Sequence, residues 1–196
     1  HGGTLTLDAD ERINVEVAFQ LNLGAAALPA LFIAHEADGL WQGAVGSARY
    51  RVRLPAVTIA NQVRAAAPPL AEFDGQTVTW LFTEFKPRGF VTMTFVQPAL
   101  WQSLVAAQSE TARPSAQSVS AWLTIGRAYF RLASESQAAS DWSQAQAAYE
   151  RVRDLDAQSL EAHAALAVMF AGRYNSSGES DLGALALALD EWERMV

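Results

Sequence analysis

The chain has 196 residues, 51% of them hydrophobic and 18% charged, with 14 basic against 21 acidic side chains and a formal net charge of −7. With a single lysine, Lys86, it lacks the clustered cations that a nucleic-acid backbone or an anionic membrane surface requires. No cysteine is present, which removes disulfides, thiolate nucleophiles and zinc ribbons and leaves cytosol and periplasm both open. No stretch approaches the roughly 20 apolar residues of a bilayer span; the most apolar, Leu23 to Ala34, is interrupted by Pro29. The first residue is His1 rather than methionine, so a processed or trimmed chain is expected, with a removed signal or membrane anchor left open.

From Thr4 to about Gln97 the hydrophobic pattern alternates. Ile13, Val15, Val17, Phe19 and Leu21 against Asn14, Glu16, Ala18, Gln20 and Asn22 read as a half-buried strand. Tyr50, Val52 and Leu54 alternate with Arg49, Arg51 and Arg53; Val78, Trp80 and Phe82 alternate with threonines, as do Val91, Met93 and Phe95. Lys86-Pro87-Arg88-Gly89 has the turn chemistry of a hairpin joining the last two strands. About seven short strands and one hairpin predict an antiparallel β-sandwich-like domain over residues 1–107, of immunoglobulin-like or cupredoxin-like type.

Leu100, Trp101 and Leu104 suit a short helix at the end of that domain, within 98–107. The polar segment 108–117, which contains Pro114, has linker composition and marks the expected domain boundary.

Beyond it the period changes to that of a helix. Trp122, Ile125, Tyr129 and Leu132 recur at spacings of three or four and fall on one stripe of a helix over 118–133. Gly126 interrupts that stripe at a propensity cost of roughly 1 kcal/mol, which predicts a neighbouring helix in close approach. A second helix, 141–155, opens at Ser140 or Asp141 and buries Trp142, Ala145, Tyr149 and Val152. Residues 133–140 read as a lengthened turn or an extra helical turn. His163, Leu166, Ala167 and Phe170 begin a second hairpin, and Leu182, Leu185, Leu189 and Trp192 form the stripe of its closing helix. The fold class expected is therefore α+β: a β-sandwich-like domain followed, over 118–196, by an all-α domain of tetratricopeptide (TPR) helical hairpins.

The segments Ala121-Trp-Leu-Thr-Ile-Gly-Arg-Ala-Tyr129, Ala147-Ala-Tyr-Glu-Arg-Val-Arg-Asp-Leu-Asp156 and Glu161-Ala-His-Ala-Ala-Leu-Ala-Val-Met-Phe170 carry a family likeness. The helical half resembles the TPR proteins of bacterial c-type cytochrome maturation, the CcmI and NrfG family, and residues 13–60 are faintly similar to the strand-rich domain of its CcmI branch. Here the order of the two halves is reversed. The resemblance implies a periplasmic protein, anchored to the membrane in full-length form, whose TPR groove presents the C-terminal segment of an apocytochrome c to the haem-attachment machinery and its haem-lyase subunits.

In that register the groove-facing positions are Ser120, Leu123, Arg127 and Phe130 of the first helix, and Glu161, Ala164, Val168 and Ala171 of the third. Arg127 suits a carboxylate; Leu123, Phe130 and Val168 suit an apolar helix face. Set against this, Arg127 pairing with a surface acid and Phe130 packing on the β domain are equally good readings. Arg49, Arg51 and Arg53 form either an anion-binding stripe or, better, a solvated face beside a strand bearing Glu16. His163 is read as a packed core residue. His35, Glu36 and Asp38 are weak metal donors, and His1 with His35 is a weak copper pair, better explained by a leftover tag residue. With no phosphate loop, nucleophile elbow or paired histidines, a non-catalytic adaptor for a protein or peptide, without cofactor, metal or nucleic acid, is the favoured function. The alternative is a metal- or ligand-binding β-sandwich that dimerises through its helices.

Overall fold

The computed structural model describes residues 16–18, 20–22, 24–34, 45–54, 60–69, 72–85, 89–113 and 118–196. Among them six strands precede five helices, so the class is α+β. The strands are β1 (Ala30–Ala34), β2 (Val45–Arg53), β3 (Val63–Ala67), β4 (Glu72–Phe73), β5 (Thr77–Phe85) and β6 (Phe90–Phe95). They form two three-stranded antiparallel sheets, ordered β1-β6-β3 and β2-β5-β4. Alternation delivers Leu31, Val91, Met93 and Phe95 from the first sheet and Val78 and Trp80 from the second into one buried cluster with Leu54.

Three sequence expectations for the strands change. β5 and β6 are not a hairpin: they lie in different sheets, joined through residues 86–88, which are outside the described set. Alternation specifies which side chains are buried, not which strand supplies the hydrogen bonds. A tight hairpin instead joins β4 to β5 at Asp74-Gly75, where Gly75 has φ 90° and Asp74 Oδ1 accepts from the Thr77 amide at 2.7 Å. Those backbone donors hold the Asp74 carboxyl below its usual range. The strand expected over 13–22 is absent from its described part: residues 16–18 and 20–22 have no regular structure, and Val17 and Leu21 are exposed. Accordingly the arginine face of β2 does not lie beside Glu16; opposite Arg49, Arg51 and Arg53 stand Leu81, Thr79 and Thr77 of β5.

Helix α1 (Pro98–Thr111) starts on a proline, with the Gln97 side chain accepting from the Leu100 amide at 2.9 Å. It runs through the first four residues of the expected linker, and 114–117 lie outside the described residues. Its Leu100, Trp101, Leu104 and Ala107 share a core with Ala121, Ile125, Ala128 and Leu132 of α2 (Val119–Ser136), and with Val96 and Ala27 from the strand half. The stretch 98–107 is thus packed on the helices.

Of the two readings for 133–140, the extra helical turn is observed: α2 continues to Ser136 and stops at Gln137, which has φ 57°. α3 (Ala139–Leu155) begins at Ala138 with no side-chain cap, so Ser140 and Asp141 sit inside its first turn. Asp141 is buried and accepts instead from Ser136 Oγ at 3.0 Å and from Arg64 Nη2 of β3 at 3.1 Å. α4 (Leu160–Ser176) and α5 (Leu182–Glu193) are capped by Ser159 and Asp181.

Of the expected α5 residues, Leu185 is half-buried and the other three face outward. Ala184, Ala188 and Glu191 are buried, whereas Leu182, Leu189 and Trp192 are exposed. Both sides of this helix are apolar enough to bury, so a polar interaction decides. Glu191 accepts from Arg153 Nη1 at 2.7 Å and lies 2.6 Å from Nδ1 of the buried His163, which fixes the helix's rotation.

The strand and helix halves are tied together by Glu135. Its two carboxylate oxygens accept from the amides of Ala27 and Leu28, each at 2.8 Å, just ahead of β1. Arg131 adds a bond to the Ala25 carbonyl at 3.1 Å, and Arg64 to Asp141 is a third tie.

Candidate partner-binding face

The outer surface shared by α2 and α4 contains the groove positions expected from the sequence. Four are exposed: Ser120 and Arg127 on α2, Glu161 and Val168 on α4. Leu123 is buried in the cluster with Trp142, Tyr149, Leu166 and Phe170, so it supports the face from beneath. Phe130 is half-buried, its ring 5.8 Å from that of Trp142 on α3 rather than on a strand, and a Cβ on Gly172 would stand 3.0 Å from it. Ala164 and Ala171 of α4 are half-buried.

Two of the expected residues meet each other. Arg127 Nη2 donates to Glu161 Oε1, linking helices that the sequence separates by an entire intervening helix. The side chains of Arg127 and Glu161 are 61% and 55% exposed, so water screens the pair and its net worth is about 0–1 kcal/mol. An incoming carboxylate can therefore displace Glu161 at little cost, and an incoming cation can displace Arg127. Beneath them lies the Tyr149 phenol, pushed up to about 12 by burial; Arg127 partly counters that effect and Glu161 adds to it. The phenol stays protonated at neutral pH.

The interior explains why the face holds its shape. Gly126 faces the Tyr149 ring so closely that a Cβ would come within 2.4 Å of Cε1, which is the close helix approach its place in the stripe predicted. His163 is a buried residue of α4, and beyond packing it joins the polar link to Glu191 and, through Nε2, lies 3.3 Å from the Ala157 carbonyl.

Sequence reasoning missed Glu135, Arg64 and Glu191, and read Asp141 only as a possible cap. Their partners are distant in sequence, and Glu191 alone left a readable signal: the spacing Ala184, Ala188, Glu191 defines a second face of α5.

A concavity of about 530 Å³ opens where β1, β3 and β6 meet the α2-to-α3 turn. Its ionic groups are mutually engaged, Arg64 with Asp141 and Glu135 with backbone amides. Among the described residues no group of three or more His, Asp or Glu side chains is placed to hold a metal. His1, His35, Glu36 and Asp38 lie outside the described residues. No helix among the described residues is long and apolar enough to cross a membrane. No family model, curated protein or solved structure matches the chain.

Proposed function

We propose that the protein is a non-catalytic adaptor in which α2 to α5 act as two TPR-like hairpins and the α2–α4 face binds a peptide or helix of a partner protein. The sheets, read as a sandwich-like body, brace the hairpins from the α2-to-α3 turn. One observation carries this reading: Arg127 of α2 meets Glu161 of α4 across the intervening α3, which leaves exposed charges on a face that also exposes Val168. Two hairpins are fewer than the three or so repeats that usually stand alone, so packing by α1 and the strand half takes the place of a further repeat.

The partner we propose is the C-terminal segment of an apocytochrome c, in a periplasmic setting and with haem-lyase subunits nearby; this rests on the resemblance of the three helical segments. Co-purification from a periplasmic extract containing tagged apocytochrome, with and without its last helix, tests it. Retention that depends on that helix supports the assignment, and equal recovery of the truncated form overturns it.

The alternative of a ligand-binding β-sandwich dimerised through its helices draws on the outward Leu182, Leu189 and Trp192 of α5. Light scattering separates the two: a concentration-independent monomer removes the alternative.

A further inference from the structure

We infer that the edge of β2 opposite β5, which pairs with no strand among the described residues, binds an extended acidic polypeptide strand, at a site separate from the α2–α4 face. β2 is nine residues long and pairs with β5 on one side; among the described residues no strand pairs with its other edge. Such an edge presents a row of amide and carbonyl groups that only another polypeptide backbone can match in register. Arg49, Arg51 and Arg53 occupy alternate positions and project from one face at intervals of roughly 7 Å. All three are exposed and none forms an ion pair with a described residue. No described carboxylate of their own sheet, Glu72, Asp74 or Glu84, forms an ion pair with them, and across the ladder with β5 they stand opposite Leu81, Thr79 and Thr77.

Three adjacent cations without an anion among the described residues stand out in a chain of net charge −7. A strand added to this edge places its own alternate side chains roughly 5 Å from the arginines, within reach of charge-assisted bonds if those side chains are Asp or Glu. The same cation spacing would suit phosphates. Single-stranded nucleic acid, however, takes much of its affinity from aromatic stacking, and this face offers Leu81 and threonines instead. The chemistry favours a segment with carboxylates at every second residue.

The test is fluorescence anisotropy with the full chain and labelled peptides at low and moderate salt. The probe has Glu-Thr-Glu-Val-Glu-Thr at its centre; the controls carry the same residues with the three glutamates contiguous, and the alternating order with N-methyl groups on the edge-facing amides. The alternating peptide is expected to bind, with both controls at least fivefold weaker. The triple variant R49Q/R51Q/R53Q is expected to bind about tenfold more weakly, in keeping with three modest cross-strand ion pairs, and R49K/R51K/R53K to recover part of the loss. Unchanged circular dichroism shows that the variants fold. Arg127→Glu leaves this binding intact, which separates its outcome from that of the helical face. No binding, equal binding by the contiguous peptide, indifference to the triple variant, or equal binding of single-stranded DNA overturns the inference.

Discussion

Gly126 of α2 and Tyr149 of α3 are in such close contact that the glycine has no room for a methyl group; the ring carbons Cε1, Cδ1 and Cζ would lie 2.4, 2.6 and 2.8 Å from it. Helix propensity alone says that Gly126→Ala gains roughly 1 kcal/mol. Overpacking against a ring that is itself buried costs about 1–3 kcal/mol and offsets or exceeds that gain, so the variant is expected to lose up to about 2 kcal/mol in urea unfolding. In a Tyr149→Leu background the obstacle is gone and the same change becomes neutral or favourable. Equal effects in both backgrounds would show that the close contact is not what selects glycine.

Glu191 is expected to be the most sensitive residue of α5. It is 4% exposed and serves both His163 and Arg153, so Glu191→Ala leaves a buried imidazole and a half-buried guanidinium without their acceptor. The expected loss is about 3 kcal/mol, against a few tenths for Leu189→Ala on the exposed side of the same helix. Denaturation midpoints of the two variants make the comparison. The reverse ranking would mean that α5 packs on its leucine stripe.

The tie between the halves rests on Glu135. Glu135→Ala strips the acceptor from the Ala27 and Leu28 amides, the first of them fully buried, and is expected to cost about 1–3 kcal/mol. The signature is local: amide hydrogen exchange accelerates at residues 27–31 while α4 remains protected. Acceleration spread evenly over the chain would point to global destabilisation and away from a tie.

Tyr149 makes the protein sensitive to alkali. Its folded-state phenol ionises near 12, above the ordinary value of 10, so between these values the unfolded chain gives up a proton that the folded one keeps. The contribution is complete below pH 10 and is lost as pH rises through about 12. Wild-type stability therefore falls more steeply across that window than that of Tyr149→Phe. Parallel slopes for the two proteins would contradict the buried-phenol account.

The helices were legible because a stripe with period 3.6 survives in sequence: Trp122, Ile125, Tyr129 and Leu132 define α2, and Gly126 pointed to the close helix before any neighbour was known. The orientation of α5 was not, since both of its faces are apolar and the choice between them depends on Arg153 and His163, 38 and 28 residues away. In the strands, alternation showed the inward residues Val78, Trp80, Val91 and Met93 but not their partners, and Lys86-Pro87-Arg88-Gly89 was taken for a hairpin while Asp74-Gly75 holds one. Of the candidate face, the exposed positions follow from register alone. That Arg127 meets Glu161 is a product of helix stacking, which no local pattern encodes.

The central claim, that the α2–α4 face binds a peptide, is tested most directly by calorimetric titration of a C-terminal apocytochrome c helix peptide into three proteins. Wild type is expected to bind, and Arg127→Glu to bind at least tenfold more weakly through charge reversal. Glu161→Gln, which frees Arg127 for a ligand carboxylate, is expected to bind up to about fivefold more tightly, the equivalent of releasing an exposed ion pair worth at most about 1 kcal/mol. Absence of binding to all three, or one affinity shared by all three, contradicts the assignment of this face.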